Sequence, residues 1–112
     1  MKYQELVKEV EGVRKLKLSE QENFYRDVLN ESSNDLEVMV GATFYLGMAY
    51  YYEGNFNKAK EIIEPIILQY QSMPFVRELI SAFNLMGVML YYDGANVPSR
   101  YYYEKALQIA ME

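Results

Sequence analysis

The chain has 112 residues, no cysteine, no histidine and a formal net charge of −5. Those counts exclude a disulfide framework, thiolate chemistry, Ser-His-Asp and Cys-His catalysis and the usual zinc sites. The acidic balance speaks against a nucleic-acid surface, which needs a basic stripe. The charge is uneven: residues 1–30 carry six bases and six acids, while residues 31–72 set six acids against Lys58 and Lys60 alone.

Helical periodicity runs through the chain. Tyr3, Leu6, Val7, Val10, Val13 and Leu16 form an amphipathic stripe with Lys2, Glu5, Glu9 and Lys15 outside it. Ser19-x-x-Glu22 has capping-box spacing, which predicts a second helix start, with Phe24, Tyr25, Val28 and Leu29 on its apolar face. The polar run NESSND (30–35) reads as a turn, and Asn34 with Glu37 reads as the next helix start. A long third helix follows to about Tyr52. The triplet EGN (53–55) ends it, and Asn55 is placed to cap a fourth helix carrying Phe56, Ala59, Ile62, Ile63, Ile66, Ile67 and Tyr70 on its buried side. Pro65 inside that helix predicts a kink, because the stripe continues beyond it. SMP (72–74) breaks the chain, with Pro74 suited to a first helical position. A fifth helix over 75 to about 91 ends at DGAN (93–96), and Pro98 falls in the first turn of a sixth. The expectation is an all-α domain of three antiparallel helix pairs, with boundaries at 1–35, 36–74 and 75–112. The uncharged runs Val38–Tyr52 and Leu79–Tyr92 hold 15 and 14 residues. A membrane span needs about 20 apolar residues, so both read as buried core helices.

Two phrases recur forty residues apart: GMAYYYEG at 47–54 and GVMLYYDG at 87–94. At that offset Ala42 meets Ala82, Leu46 meets Met86, Ala59 meets Ser99 and Ile63 meets Tyr103. Glycine inside a helix costs about 0.5–1 kcal/mol against alanine, and persists where a neighbouring helix must come close. Gly47 and Gly87 therefore read as docking points for their partner helices, with Ala59, Ser99 and Ala106 as the small residues opposite.

Through Leu46-Gly47, Tyr50, Gly54-Asn55 and Ala59, then Phe83, Met86-Gly87, Gly94, Tyr103 and Ala106-Leu107, residues 40–112 resemble the tetratricopeptide repeat family. The spacing of forty is longer than the family's roughly 34 residues, Ile66 stands where alanine is usual, Pro65 lies inside the second helix, and residues 1–35 carry no glycine signature. The resemblance implies a right-handed superhelical stack whose inner helices line a concave groove. Carried over to this chain, the groove positions are Gly41, Phe44, Met48, Tyr51 and Tyr52, then Ser81, Asn84, Val88, Tyr91 and Tyr92. They are mostly apolar and aromatic, which suits an apolar or amphipathic peptide segment.

The functional expectation is a non-catalytic, cytoplasmic interaction module. It would act as a scaffold, or as the helical-repeat part of a larger bacterial signalling or transcription regulator. No cofactor, metal, nucleic acid or membrane is expected. Glu61 and Glu64 stand three apart as a carboxylate pair, but beside Lys58 and Lys60 they read as a solvated face. The alternative is a structural module. The last helix ends without a polar cap, and Tyr102, Leu107, Ile109 and Met111 would form an apolar end through which two copies pair, leaving the groove empty.

Overall fold

The structure, a computed structural model, describes residues 1–32, 35–70 and 77–111. Six helices follow one another: α1 (Tyr3–Val13), α2 (Leu18–Glu31), α3 (Leu36–Tyr52), α4 (Phe56–Tyr70), α5 (Arg77–Tyr92) and α6 (Asn96–Met111). The described residues contain no strand. The chain is all-α, and its helices stack in consecutive pairs. The strongest packing is of α3 on α4 and of α5 on α6. The outer helix of each pair leans on the inner helix of the next, α2 on α3 and α4 on α5. The inner helices also touch in series, α1 on α3 and α3 on α5. One core threads all three pairs, from Leu6 and Val13 through Tyr25, Val38, Phe44 and Ile63 to Phe83, Met89 and Ala106.

The repeat of forty is visible atom by atom. After α3, Gly54 N–H donates to Tyr51 O and Asn55 N–H to Tyr50 O, both at 3.0 Å. After α5, Gly94 N–H donates to Tyr91 O at 3.0 Å and Ala95 N–H to Leu90 O at 2.8 Å. Each pair of bonds is a Schellman stop, which requires a left-handed residue. Gly54 and Gly94 both supply it, at φ +82°. The helices then start alike, with Ala59 N–H on Asn55 O and Ser99 N–H on Ala95 O, each at 3.0 Å.

The interior glycines act as docking points. A methyl group at Gly47 would stand 2.6 Å from Ile63 Cγ1, and one at Gly87 would stand 3.1 Å from the Tyr103 ring. Those partners are forty residues apart, as the glycines are. Ala59, Ser99 and Ala106 are buried at the same crossings, and the Ser99 hydroxyl donates to Gly87 O at 2.7 Å.

Several helix starts differ from expectation. Helix α2 begins at Leu18, with Lys17 at its N-cap and no side-chain cap. Ser19 therefore lies inside the first turn. Leu18 packs against the core, which draws the start of the helix upstream. Glu22 finds stronger partners than a capping amide: the Tyr50 hydroxyl donates to it at 2.6 Å and Arg26 Nη2 at 2.9 Å. Asn34 and Pro74 lie outside the described residues. The cap of α3 is Asp35, whose side chain accepts from Val38 N–H at 3.2 Å. Asn55 caps as expected, accepting from Lys58 N–H at 3.1 Å. Helix α4 continues through Pro65, which sits on its exposed side, and no loop interrupts it. Helix α1 stops at Val13, leaving Leu16 exposed beyond its end.

Two outcomes follow from this packing. Gly47→Ala lowers stability by about 1–2 kcal/mol, because the methyl group collides with a fully buried Ile63 and the helix-propensity gain offsets only part of the strain. Gly87→Ala costs less, since Tyr103 is partly exposed and has room to shift. Gly12→Ala, with open space around it, is neutral or stabilising. Urea unfolding of the three variants checks the order. Separately, the hydrogen bond from Tyr50, and then Arg26, holds the Glu22 carboxyl below its ordinary range. A depressed carboxylate stabilises the fold at pH above the usual carboxylate value and ceases to do so as pH falls through its own lower value. Tyr50→Phe therefore destabilises at neutral pH, by about 1 kcal/mol at this partly exposed site. That difference fades in unfolding curves recorded at progressively more acid pH.

Candidate functional site

Helices α3 and α5, with Arg14 at the C-cap of α1, line a concavity of about 440 Å³. Its apolar floor is Phe44, Met48, Leu85 and Val88, spaced at helical intervals along α3 and α5. Tyr51 and Tyr52 line it from α3 and Ser81 and Asn84 from α5, with Arg14 contributed from just beyond the end of α1. Of the ten groove positions expected from the repeat register, Phe44, Met48, Tyr51, Tyr52, Asn84 and Val88 line this space. Ser81 joins them. Tyr51 is braced from behind by a parallel stack on Phe56, with ring centroids 5.2 Å apart.

Tyr91 and Tyr92 do not line the groove. They occupy the same register as Tyr51 and Tyr52, but their counterparts owe their position to α5 lying beside α3. Among the described helices none lies beside α5 on its far side. Tyr91 and Tyr92 are accordingly exposed, and the Tyr92 ring sits 6.0 Å from Phe56 on the turn side. Gly41 is likewise unavailable. Leu6 and Tyr3 of α1 cover it, and a methyl group there would lie 3.0 Å from Leu6 Cδ2.

The polar end of the groove lies outside the register-based expectation. Glu78, in the first turn of α5, is 1% exposed. Its Oε1 accepts from the Tyr3 hydroxyl of α1 at 2.5 Å and from the Tyr45 hydroxyl of α3 at 3.0 Å. Arg77 Nε lies 3.8 Å from the same oxygen. The start of α5 also favours a negative charge through its free amides. One carboxylate thus ties together all three inner helices. Burial, then the hydrogen bond to Glu78, raises the Tyr3 phenol well above its ordinary value. Burial followed by the Glu78 charge raises Tyr45 as well. Both hydroxyls therefore remain donors across the physiological range. Behind Tyr45, the buried Tyr25 stacks at 6.3 Å, its phenol pushed up to about 12 by burial. A signal for Glu78 does exist in the sequence: it shares a helical stripe with Ala82, Leu85 and Met89, all buried.

A second concavity of about 580 Å³ opens on the other side, between α4 and α6. Glu61 and Glu64 stand on its rim, both exposed. Lys58 lies 3.8 Å from Glu61, and Lys60 donates to Asp93 at 2.5 Å. Its charges face water and are met by neighbours. The smaller groove combines an apolar floor with a buried carboxylate, the usual composition of a binding site. Among the described residues no three carboxylates form a group able to hold a metal ion, and no helix is long and apolar enough to cross a membrane.

The residues assigned to an apolar end of α6 separate. Ile109 is buried in the core, and Tyr102 is half-buried against Phe83, its ring centroid 6.0 Å away. Both belong to the face that α6 turns to α5 and serve the domain's own packing. Leu107 and Met111 are exposed.

Comparison with known proteins gives no match to a family model, to a curated protein or to a solved structure.

Removing the Tyr3 hydroxyl should loosen α1 selectively. Hydrogen bonds to a charged acceptor are worth about 1.5–3 kcal/mol, and α1 has little packing on α2 to fall back on. Tyr3→Phe accelerates hydrogen exchange of the α1 amides while those of α5 and α6 keep their protection.

Proposed function

We propose that the concavity lined by α3 and α5 is a peptide-binding groove, and that the domain is a non-catalytic protein-interaction module built as a divergent tetratricopeptide-type repeat. The observation that carries this reading is the convergence of seven register-equivalent side chains on one concave face. Phe44, Met48 and Val88 offer an apolar seat at helical spacing, Tyr51 and Tyr52 bound it, and Asn84 supplies an amide. An amphipathic helix laid along such a seat buries its apolar stripe and leaves its polar face in water. The Gly47–Ile63 and Gly87–Tyr103 contacts support the repeat assignment independently of the groove. A role as the interaction part of a larger cytoplasmic signalling or transcription regulator accords with this reading.

Fluorescence anisotropy with a small panel of labelled amphipathic helical peptides tests it. Met48→Glu and Val88→Glu each weaken binding at least about tenfold by placing a charge on the apolar floor. Tyr92→Ala, outside the groove, leaves it unchanged. Equal binding by the charged variants and the wild type would remove the groove from consideration.

One observation favours the second reading, self-association through α6. Ile67 of α4 is 3% exposed, being covered by α5, whereas its equivalent Leu107 of α6 is 62% exposed. A second copy of the chain pairing through Leu107 and Met111 would cover that stripe. Sedimentation would then show a concentration-dependent dimer that Leu107→Glu abolishes, with peptide binding unaltered.

A further inference from the structure

Glu78 is the one charged side chain that is buried among the described residues. Its two oxygens are treated unequally. Oε1 takes both tyrosine hydrogen bonds and the Arg77 contact. Oε2 is withdrawn from water and has no hydrogen-bond partner among the described residues. A buried carboxylate oxygen without a donor is costly to maintain, and Glu78 is among the residues that line the groove.

Building on the groove reading above, we propose that Glu78 recognises a lysine of the bound segment, whose ammonium group donates to Oε2 while the apolar face of the segment lies on Phe44, Met48 and Val88. The ligand class is an amphipathic segment with a lysine at one end of its apolar stripe. Lysine suits the site better than arginine. A guanidinium binds a carboxylate best as a two-pronged fork using both oxygens, and here Oε1 is already occupied by two hydroxyls. An ammonium is a compact donor that one oxygen can satisfy. Oε2 is itself buried, so access requires a rearrangement around the carboxylate, and Arg77, which contacts Oε1, is the neighbour placed to move. Its side chain is exposed and holds Glu78 by a 3.8 Å ion pair, whereas Tyr3 and Tyr45 are anchored by hydrogen bonds. The ligand ammonium replaces the Arg77 charge beside the carboxylate, so the local charge balance is kept. Glu78 and Val88 are ten residues apart on α5, about 15 Å along a helix axis, so about three turns of a bound helix span the seat.

The test uses three labelled peptides of identical amphipathic sequence, bearing lysine, arginine or norleucine at the terminal position of the apolar stripe. The wild-type protein binds the lysine peptide about tenfold more tightly than the norleucine peptide, and the arginine peptide gains less. Glu78→Gln erases the lysine preference, so that the variant binds the lysine and norleucine peptides alike. Arg77→Ala strengthens lysine binding by removing the competing cation. If wild-type protein binds lysine and norleucine peptides equally, the groove reading stands and the lysine assignment falls. If it binds none of the three, the groove reading fails and takes this assignment with it. Weaker lysine binding by Arg77→Ala also counts against the exchange. Should Glu78→Gln not fold, the wild-type ratio is joined by the carbon-13 signal of the Glu78 carboxyl. That signal moves with the lysine peptide and not with norleucine if the contact forms, and its failure to move overturns the proposal.

Discussion

The close approach of helices at Gly47 and Gly87 is the constraint on which the rest of the molecule depends. Each glycine sits in the middle of an inner helix and receives the side chain of an outer one, Ile63 or Tyr103. With no Cβ in the way, the paired helices settle deeply enough to bury Ala59 and Ser99 at the crossing. The turn between them is then short, closed by two backbone hydrogen bonds and a left-handed glycine. Because both pairs use the same contact and the same turn, α3 and α5 emerge with matching orientation. Their free faces meet along one line, and that line is the groove.

The first helix pair belongs to this arrangement differently. It has no interior glycine contact of this kind, and α1 packs more on α3 than on its own partner α2. What holds α1 is a set of specific ties. Leu6 and Tyr3 cover Gly41, and the Tyr3 hydroxyl crosses to Glu78 on α5. On the other side α2 is fastened to α3 by Tyr50 and Glu22. Helix α1 is thereby fixed against both α3 and α5, next to the carboxylate at the end of the groove. Although Leu6 and Val13 join the core, α1 packs little on its own partner α2, which makes it the part of the domain that opens at lowest cost.

The tyrosines divide according to these same contacts. Tyr25 is buried in the core, and Tyr45 stacks on it half-buried while donating to Glu78. Tyr3 and Tyr50 are donors to carboxylates. Tyr51 and Tyr52 border the groove, whereas Tyr91 and Tyr92, written identically in the sequence, stand in the open. A single residue type takes four roles because a phenol joins an apolar ring to a polar tip, and the neighbouring helix determines which end is used.

Local chemistry legible in the chain determined a good deal. The six helices follow from apolar periodicity, the two stops from Gly54 and Gly94, the Asn55 cap from its position, and the repeat from the offset of forty. Seven groove residues follow once that register is read. Nearest-neighbour physics governs all of these, so a linear pattern carries them. Tertiary structure decided what depends on which helix lies alongside. It closed a groove over Tyr51 and Tyr52 and none over Tyr91 and Tyr92. It buried Ile109 and left Leu107 in water. It drew Glu22 away from a cap to Tyr50, and brought Tyr3, Tyr45 and Glu78 to one point from positions up to 75 residues apart. The stripe that Glu78 shares with Ala82, Leu85 and Met89 turns it inward, and only the arrival of Tyr3 and Tyr45 from α1 and α3 gives its carboxylate its donors.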